Sequence, residues 1–194
     1  MFSFRFDQLS AAVSSSTYTK GEIPLSEDAA MEELCRALKR VKGIVYLIGN
    51  GGSAGIASHI SADFIKTLKI PSMTLYDSNL MTCLSNDWGY ETVFSYPLEH
   101  LLKEGDLLIA ISSSGKSPNI VKAAEVAKAR HIPLITLSGF QPSNPLRALG
   151  ELNVWIDRSD YGLVETAHFF ILHTLVDYLN KVIPTREEHA CQCR

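Results

Sequence analysis

The chain has 194 residues, 46% of them hydrophobic and 20% charged, enough apolar material to bury one core and too much for a disordered chain. Eighteen Lys and Arg residues against 21 Asp and Glu give a formal charge of −3 with no basic block, so a nucleic-acid partner is not expected. No apolar run reaches the length of a membrane span, and the opening Met-Phe-Ser-Phe-Arg-Phe-Asp lacks the charged-then-apolar layout of a secretory leader.

In chain order, a first helix is expected over about residues 6–16. A second starts at Ser26, a good N-cap, with Glu27 and Asp28 in the first turn where the helix dipole favours them. Its apolar positions Met31, Leu34, Cys35 and Leu38 share one face, and Gly43 is expected to stop it. Neither helix has to pack on a sheet of its own chain, so residues 1–42 are read as a helical extension that serves a subunit interface.

From residue 43 short apolar runs alternate with amphipathic segments. The runs 44–48, 73–76, 107–111, 134–137 and 154–156 are rich in branched residues and are followed by Gly, Ser or Asp, which predicts buried parallel strands. Segments 54–68, 117–130 and 161–181 predict helices. The alternation implies a three-layer α/β domain over 43–183, with a five-stranded parallel sheet flanked by helices. Residues 184–194, with His189, Cys191 and Cys193, read as a flexible tail. Cys35 and Cys83 read as small core residues. With no leader and no disulfide framework, a cytoplasmic protein is expected.

Ligands of open α/β sheets sit beyond the carboxyl ends of the strands. Two such ends are small and polar. Gly49-Asn50-Gly51-Gly52-Ser53-Ala54 lets the backbone approach a ligand at a helix start. Ser112-Ser113-Ser114-Gly115-Lys116-Ser117-Pro118-Asn119 places four hydroxyls before another helix, a chemistry suited to a phosphate monoester. The first loop also fits the loose G-x-G-x-x-A dinucleotide pattern, with Asp77 ending the next strand, but that reading leaves the serine loop without a role. A nucleotide P-loop reading of Gly115-Lys116-Ser117 fails because the earlier glycine position holds Ala110.

Together with Ser85-Asn86-Asp87-Trp88-Gly89-Tyr90-Glu91, Phe94, and a last helix carrying His168 and His173, these segments resemble the sugar isomerase (SIS) domain family, and within it the phosphoheptose isomerases, over residues 26–182. The resemblance implies a flavodoxin-like fold and interconversion of sedoheptulose 7-phosphate with D-glycero-D-manno-heptose 7-phosphate. It implies a homotetramer with shared active sites and one zinc per subunit, held by His59, Asp63, Glu165 and His173. By the same resemblance Asn50, Gly51, Gly52, Ser53, Asn86, Asp87 and Glu165 would meet substrate, Ser112, Ser113, Ser114 and Ser117 would hold the phosphate, and Asp63 and His173 would be base and acid. Asp63 and Glu165 stand where the family has Glu and Gln, Ile56 and Gly162 where it has Asp, and segment 64–71 is shorter.

His59 and Asp63 are i and i+4, so the spacing alone lets them share an ion. Glu165 and His173 are eight residues apart, about 12 Å of straight helix, which calls for a distorted helix or a site spanning subunits. His168 lies closer to Glu165, at i+3, and a satisfied core histidine is an alternative for it. Aldose–ketose isomerisation needs a base for a carbon-bound proton, an acid for oxygen and stabilisation of an enediolate; Asp63, His173 and a metal could supply them. The alternative is a non-catalytic SIS module that binds a phosphosugar or a protein partner such as a replication initiator.

Overall fold

Runs of branched residues form the centre of the fold because strands buried on both faces need apolar side chains at every position. The structure, a computed structural model, describes residues 1–181. Five strands run parallel: β3 (Val45–Ile48), β4 (Ser72–Thr74), β5 (Leu107–Ser112), β6 (Leu134–Gly139) and β7 (Leu152–Ile156). Among the described residues the sheet has seven strands, in the order β2-β1-β7-β6-β5-β3-β4.

The two additional strands correct the expectation of an all-helical region over 1–42. β1 (Thr17–Lys20) and β2 (Ile23–Leu25) form a hairpin across Gly21 and Glu22, and β1 pairs antiparallel with β7. Gly21 has φ +57°, which a two-residue hairpin loop favours.

β3 is followed on one side by β4 and on the other by β5. The order of the parallel strands therefore reverses between β3 and β5, the place where open sheets form a ligand crevice.

Helices cover both faces. Alternate strand residues Val45, Leu47, Ile109 and Ile111 join α2 (Glu27–Arg40), α3 (Gly52–Asp63) and α8 (Tyr161–Leu179) in one core, which also takes Ala12 of α1 (Phe2–Ser14). Tyr46, Ile48, Leu108 and Ala110 face the other way, towards α4 (Ser78–Trp88), α5 (Ser95–Leu101), α6 (Pro118–Ala129) and α7 (Pro145–Leu149).

α2 begins as its sequence requires, with Ser26 Oγ accepting from Ala29 N at 3.3 Å. It does not leave its own sheet free, however: Leu34, Cys35 and Leu38 are buried in the chain's own core. Gly43 lies beyond the helix, which ends at Arg40 with Val41 as its cap. Its smallness serves the Asp106 carboxylate, which would overlap a β-carbon at residue 43. Asp106 in turn accepts from Ile44 N and Lys103 N, at 2.7 and 2.8 Å.

α1 starts at Phe2, earlier than its sequence pattern indicates, and Arg5 ties it to Asp160 at the start of α8 at 2.7 Å. Cys35 is buried as expected, but Cys83 is exposed on α4. The expected helix over 54–68 is α3 followed by a π-helical turn, Phe64–Leu68. Here Phe64 is fully buried and Lys69 ends the turn with φ 60°. The tail with His189, Cys191 and Cys193 lies outside the described residues.

Candidate functional site

The glycine loop leaves β3 and turns at once into α3. Gly51 has φ +54°, a conformation that glycine adopts without strain. A β-carbon at Gly49 would stand 2.6 Å from the Ser53 backbone. Tyr76 braces the loop from below: its hydroxyl donates to Gly49 O at 3.1 Å, and burial pushes its pKa well above the ordinary tyrosine range. Gly51 and Gly52 are exposed, whereas Ser53 is buried.

The serine loop leaves β5. Gly115 turns with φ +64° against Asn144, whose side chain would overlap a β-carbon there. Asn144 Nδ2 in turn donates to Ser138 Oγ and Gln141 O, at 3.1 and 2.9 Å. Ser112 and Ser117 share a hydroxyl–hydroxyl bond of 3.2 Å, and Ser114 Oγ accepts from Lys116 N at 3.3 Å. Ser113 Oγ is buried with no hydrogen-bond partner among the described residues. Of the expected phosphate hydroxyls, Ser114 and Ser117 are the more accessible pair.

The two loops are joined by a side-chain pair that sequence reasoning missed. Asn50 Nδ2 donates to Asn119 Oδ1, and Asn119 Nδ2 donates back to Asn50 Oδ1, both at 2.9 Å. Tyr90 OH adds a third bond, to Asn50 Oδ1 at 3.1 Å. Asn119 is only 2% exposed. An asparagine that opens a helix behind a serine loop is the one available signal, because a buried amide must find partners. Asn86 and Asp87 lie exposed in the last turn of α4, where Asn86 Nδ2 donates to Asp87 Oδ1 at 2.9 Å. The Cys83 thiol points at Asp87 Oδ2 from 3.7 Å.

α3 and α8 pack side by side and bring together three of the four expected metal ligands. Asp63 Oδ2 lies 3.3 Å from His59 Nε2 and 3.7 Å from His173 Nδ1. One ligand atom from each residue lies within 4.8 Å of the other two. Ligand atoms around a tetrahedral zinc stand about 3.3 Å apart, so this donor set fits a divalent ion such as zinc, with a fourth position left open. Phe169 packs on both imidazoles, with ring centroids 5.0 and 4.5 Å away.

Glu165 stands apart from this group. α8 is a regular helix, so eight residues separate Glu165 from His173 by about 12 Å. Glu165 lies instead against Gly52, at the start of α3, where burial raises its carboxyl above the ordinary range. His168 takes the structural reading: it is fully buried with Nε2 3.1 Å from Ser138 O, and burial lowers its pKa to about 4. A groove of about 530 Å³ lies far from these loops, around Arg40, Lys103, Arg130 and His131. Arg40, Arg130 and His131 sit at the carboxyl ends of α2 and α6, where cations answer the helix dipoles.

Residues 20–139 match the family described as SIS domain. A phosphoheptose isomerase of Shewanella denitrificans is 31% identical over 174 residues, covering 86% of this chain and 88% of that protein. The phosphoheptose isomerase of Colwellia psychrerythraea is 35% identical over 143 residues, covering 70% of this chain and 73% of that one. This chain belongs to the SIS domain family. Its relatives place it in the phosphoheptose isomerase branch. In fold it is similar to the phosphoheptose isomerase of Neisseria gonorrhoeae, with a TM-score of 0.78 at 24% identity over 92% of this chain and 97% of that chain.

The SIS match contains both loops, His59 and Asp63, and it ends before β7 and α8, which carry Glu165 and His173. No helix of the described residues is long and apolar enough to cross a membrane.

Proposed function

We propose that this protein is a phosphosugar isomerase acting on sedoheptulose 7-phosphate by proton transfer through an enediol. The observation that carries the reading is the His59–Asp63–His173 cluster, which sits in a chain whose two phosphate-suited loops flank the β3/β5 crevice. The hydroxyls of the serine loop bind the phosphate, which orients the sugar. Asp63 uses Oδ2 towards both imidazoles, which leaves Oδ1 to take the carbon-bound proton. His173 delivers a proton to the sugar oxygen. His59, Asp63 and His173 would hold a divalent ion, zinc first, and such an ion supplies Lewis-acid stabilisation of developing negative charge on oxygen.

The site is also proposed to be shared between subunits of a homotetramer. Measured along α3, His59 lies about 10 Å and Asp63 about 16 Å beyond Gly52. His59 and His173 keep 52% and 38% of their side chains exposed, an open position for groups that must exclude water during proton transfer. A neighbouring copy would cover the cluster and bring its own loops to it. The material for contact is present: Phe2, Phe4 and Phe6 of α1 are 92%, 66% and 68% exposed, and Phe6, Leu9, Val13 and Phe170 line a groove between α1 and α8.

The deciding experiment incubates the protein with sedoheptulose 7-phosphate, with added zinc and with chelator, and follows product by NMR. Conversion that disappears in Asp63→Asn supports the reading. Binding of the sugar phosphate without conversion points to the non-catalytic module, and no binding at all overturns both. Light scattering that shows a monomer at micromolar concentration would overturn the shared site.

A further inference from the structure

Two primary amides that exchange hydrogen bonds, as Asn50 and Asn119 do, can in principle be turned over together without losing either bond. One contact breaks that symmetry here. Asn119 Oδ1 also accepts from Ile120 N, at 3.0 Å, a backbone group that it shares with Ser117 O at 3.0 Å. Turning the pair over would set the Asn119 NH2 against that N–H, donor against donor. The backbone of α6 thus orients Asn119, and Asn119 orients Asn50.

Tyr90 completes the arrangement. The Asn50 oxygen has two acceptor positions, and Asn119 Nδ2 and Tyr90 OH fill both. Asn50 Nδ2 has two hydrogens, and one goes to Asn119 Oδ1. A single N–H is left over. Tyr90 is 49% exposed whereas Asn119 is buried, so the pair is held from inside by Asn119 and from the solvent side by Tyr90.

We propose that Asn119 and Tyr90 are positioning residues for sugar-phosphate binding: they leave Asn50 with one free donor, so that it meets an acceptor oxygen of the sugar and does not itself accept. The proposal rests on the phosphosugar reading above and adds to it two residues and a direction of hydrogen bonding. It also makes the two loops one unit. Asn50 leaves β3 and Asn119 opens α6, so the amide pair fixes the spacing between the phosphate end and the sugar end of the crevice.

The test is a thermodynamic cycle on Tyr90 and Asn50. Tyr90→Phe keeps the ring and removes only the hydroxyl. It is expected to raise KM for the sugar phosphate about three- to tenfold, as for one lost hydrogen bond, with kcat changed less than twofold and the melting temperature unchanged. In an Asn50→Ala background the same substitution should change nothing further. An equal rise in KM in both backgrounds would overturn the proposal, because Tyr90 would then act on the ligand directly. NMR of the ligand-free protein gives a second readout. Tyr90→Phe should shift the Asn50 and Asn119 side-chain amide signals and speed exchange of the Asn50 amide protons, and unmoved signals would overturn the proposal. If wild type turns over no sugar phosphate, the functional reading fails, and the amide spectra still decide whether Tyr90 and Asn119 hold Asn50.

Discussion

The Glu165 carboxylate fills the space that a β-carbon on residue 52 would need. Gly52→Ala is therefore expected to push the Glu165 carboxylate away from the glycine loop at a cost below about 1 kcal/mol, because only the end of a flexible side chain at an exposed helix start has to move. Glu165→Ala added to Gly52→Ala should recover most of that loss. Urea titration of the four proteins checks this, and strictly additive losses would show that the two positions do not interact.

Metal content tests the cluster. Untagged protein purified without chelator should carry about one divalent ion per chain, as for a three-ligand zinc site with an open position. His59→Ala and His173→Ala should lose the ion. Within one chain Glu165 is held at the far end of that stretch of α8, so Glu165→Ala should weaken metal binding only where a neighbouring copy brings its glycine loop, and Glu165 with it, to the cluster. Elemental analysis that finds the ion gone only from Glu165→Ala would move the site to the glycine loop.

His168 makes the fold acid-sensitive. Its pKa is lowered to about 4 in the folded chain by burial, whereas an unfolded histidine titrates near ~6.5. Below that value the unfolded chain binds a proton that the folded chain refuses. The stability of the neutral, buried form is therefore fully present above pH ~6.5 and is lost as pH falls towards 4, by up to ~1.4 kcal/mol per pH unit. His168→Gln keeps a donor for Ser138 O and removes the titration. Its stability at pH 5 relative to pH 7 should fall by at least 1 kcal/mol less than that of wild type, and parallel pH profiles would refute the assignment.

The serine loop offers a contrast between neighbours. Ser114→Ala should weaken sugar-phosphate binding by about 1–3 kcal/mol, as for a hydrogen bond to a charged group. Ser113→Ala should leave it within about twofold, because Ser113 Oγ is turned into the protein without a partner. Calorimetric titration of both variants measures the difference, and equal losses would mean that Ser113 turns outward when ligand arrives.

The parallel sheet was legible because strands covered on both faces must be apolar throughout, and Val45–Ile48 and Leu107–Ser112 follow that rule closely. The hairpin was less legible. Thr17–Lys20 and Ile23–Leu25 are short and half-exposed, so their alternation is weak, although Tyr18, Thr19 and Gly21 were there to be read as strand and turn. In the site, His59 and Asp63 meet through local i,i+4 spacing. The approach of His173 depends on how α8 lies along α3, which no spacing within α8 reveals. The Asn50–Asn119 pair joins residues 69 apart in sequence, a distance at which only the side-by-side pairing of β3 and β5 in the sheet makes them neighbours. Cys83 misled because its apolar neighbours Met81 and Leu84 face the core while the thiol itself stays outside.

The hairpin β1–β2 changes what kind of boundary the sheet presents. At one side the sheet ends in β4, only three residues long, and short edges resist pairing with foreign strands. At the other side β7, with five buried residues, would be an open apolar edge if β1 did not pair along it. The first 25 residues thus act as a guard against strand-to-strand aggregation. A chain cut after Leu25 would retain every residue of the candidate site and would be expected to accumulate as insoluble, β-rich material.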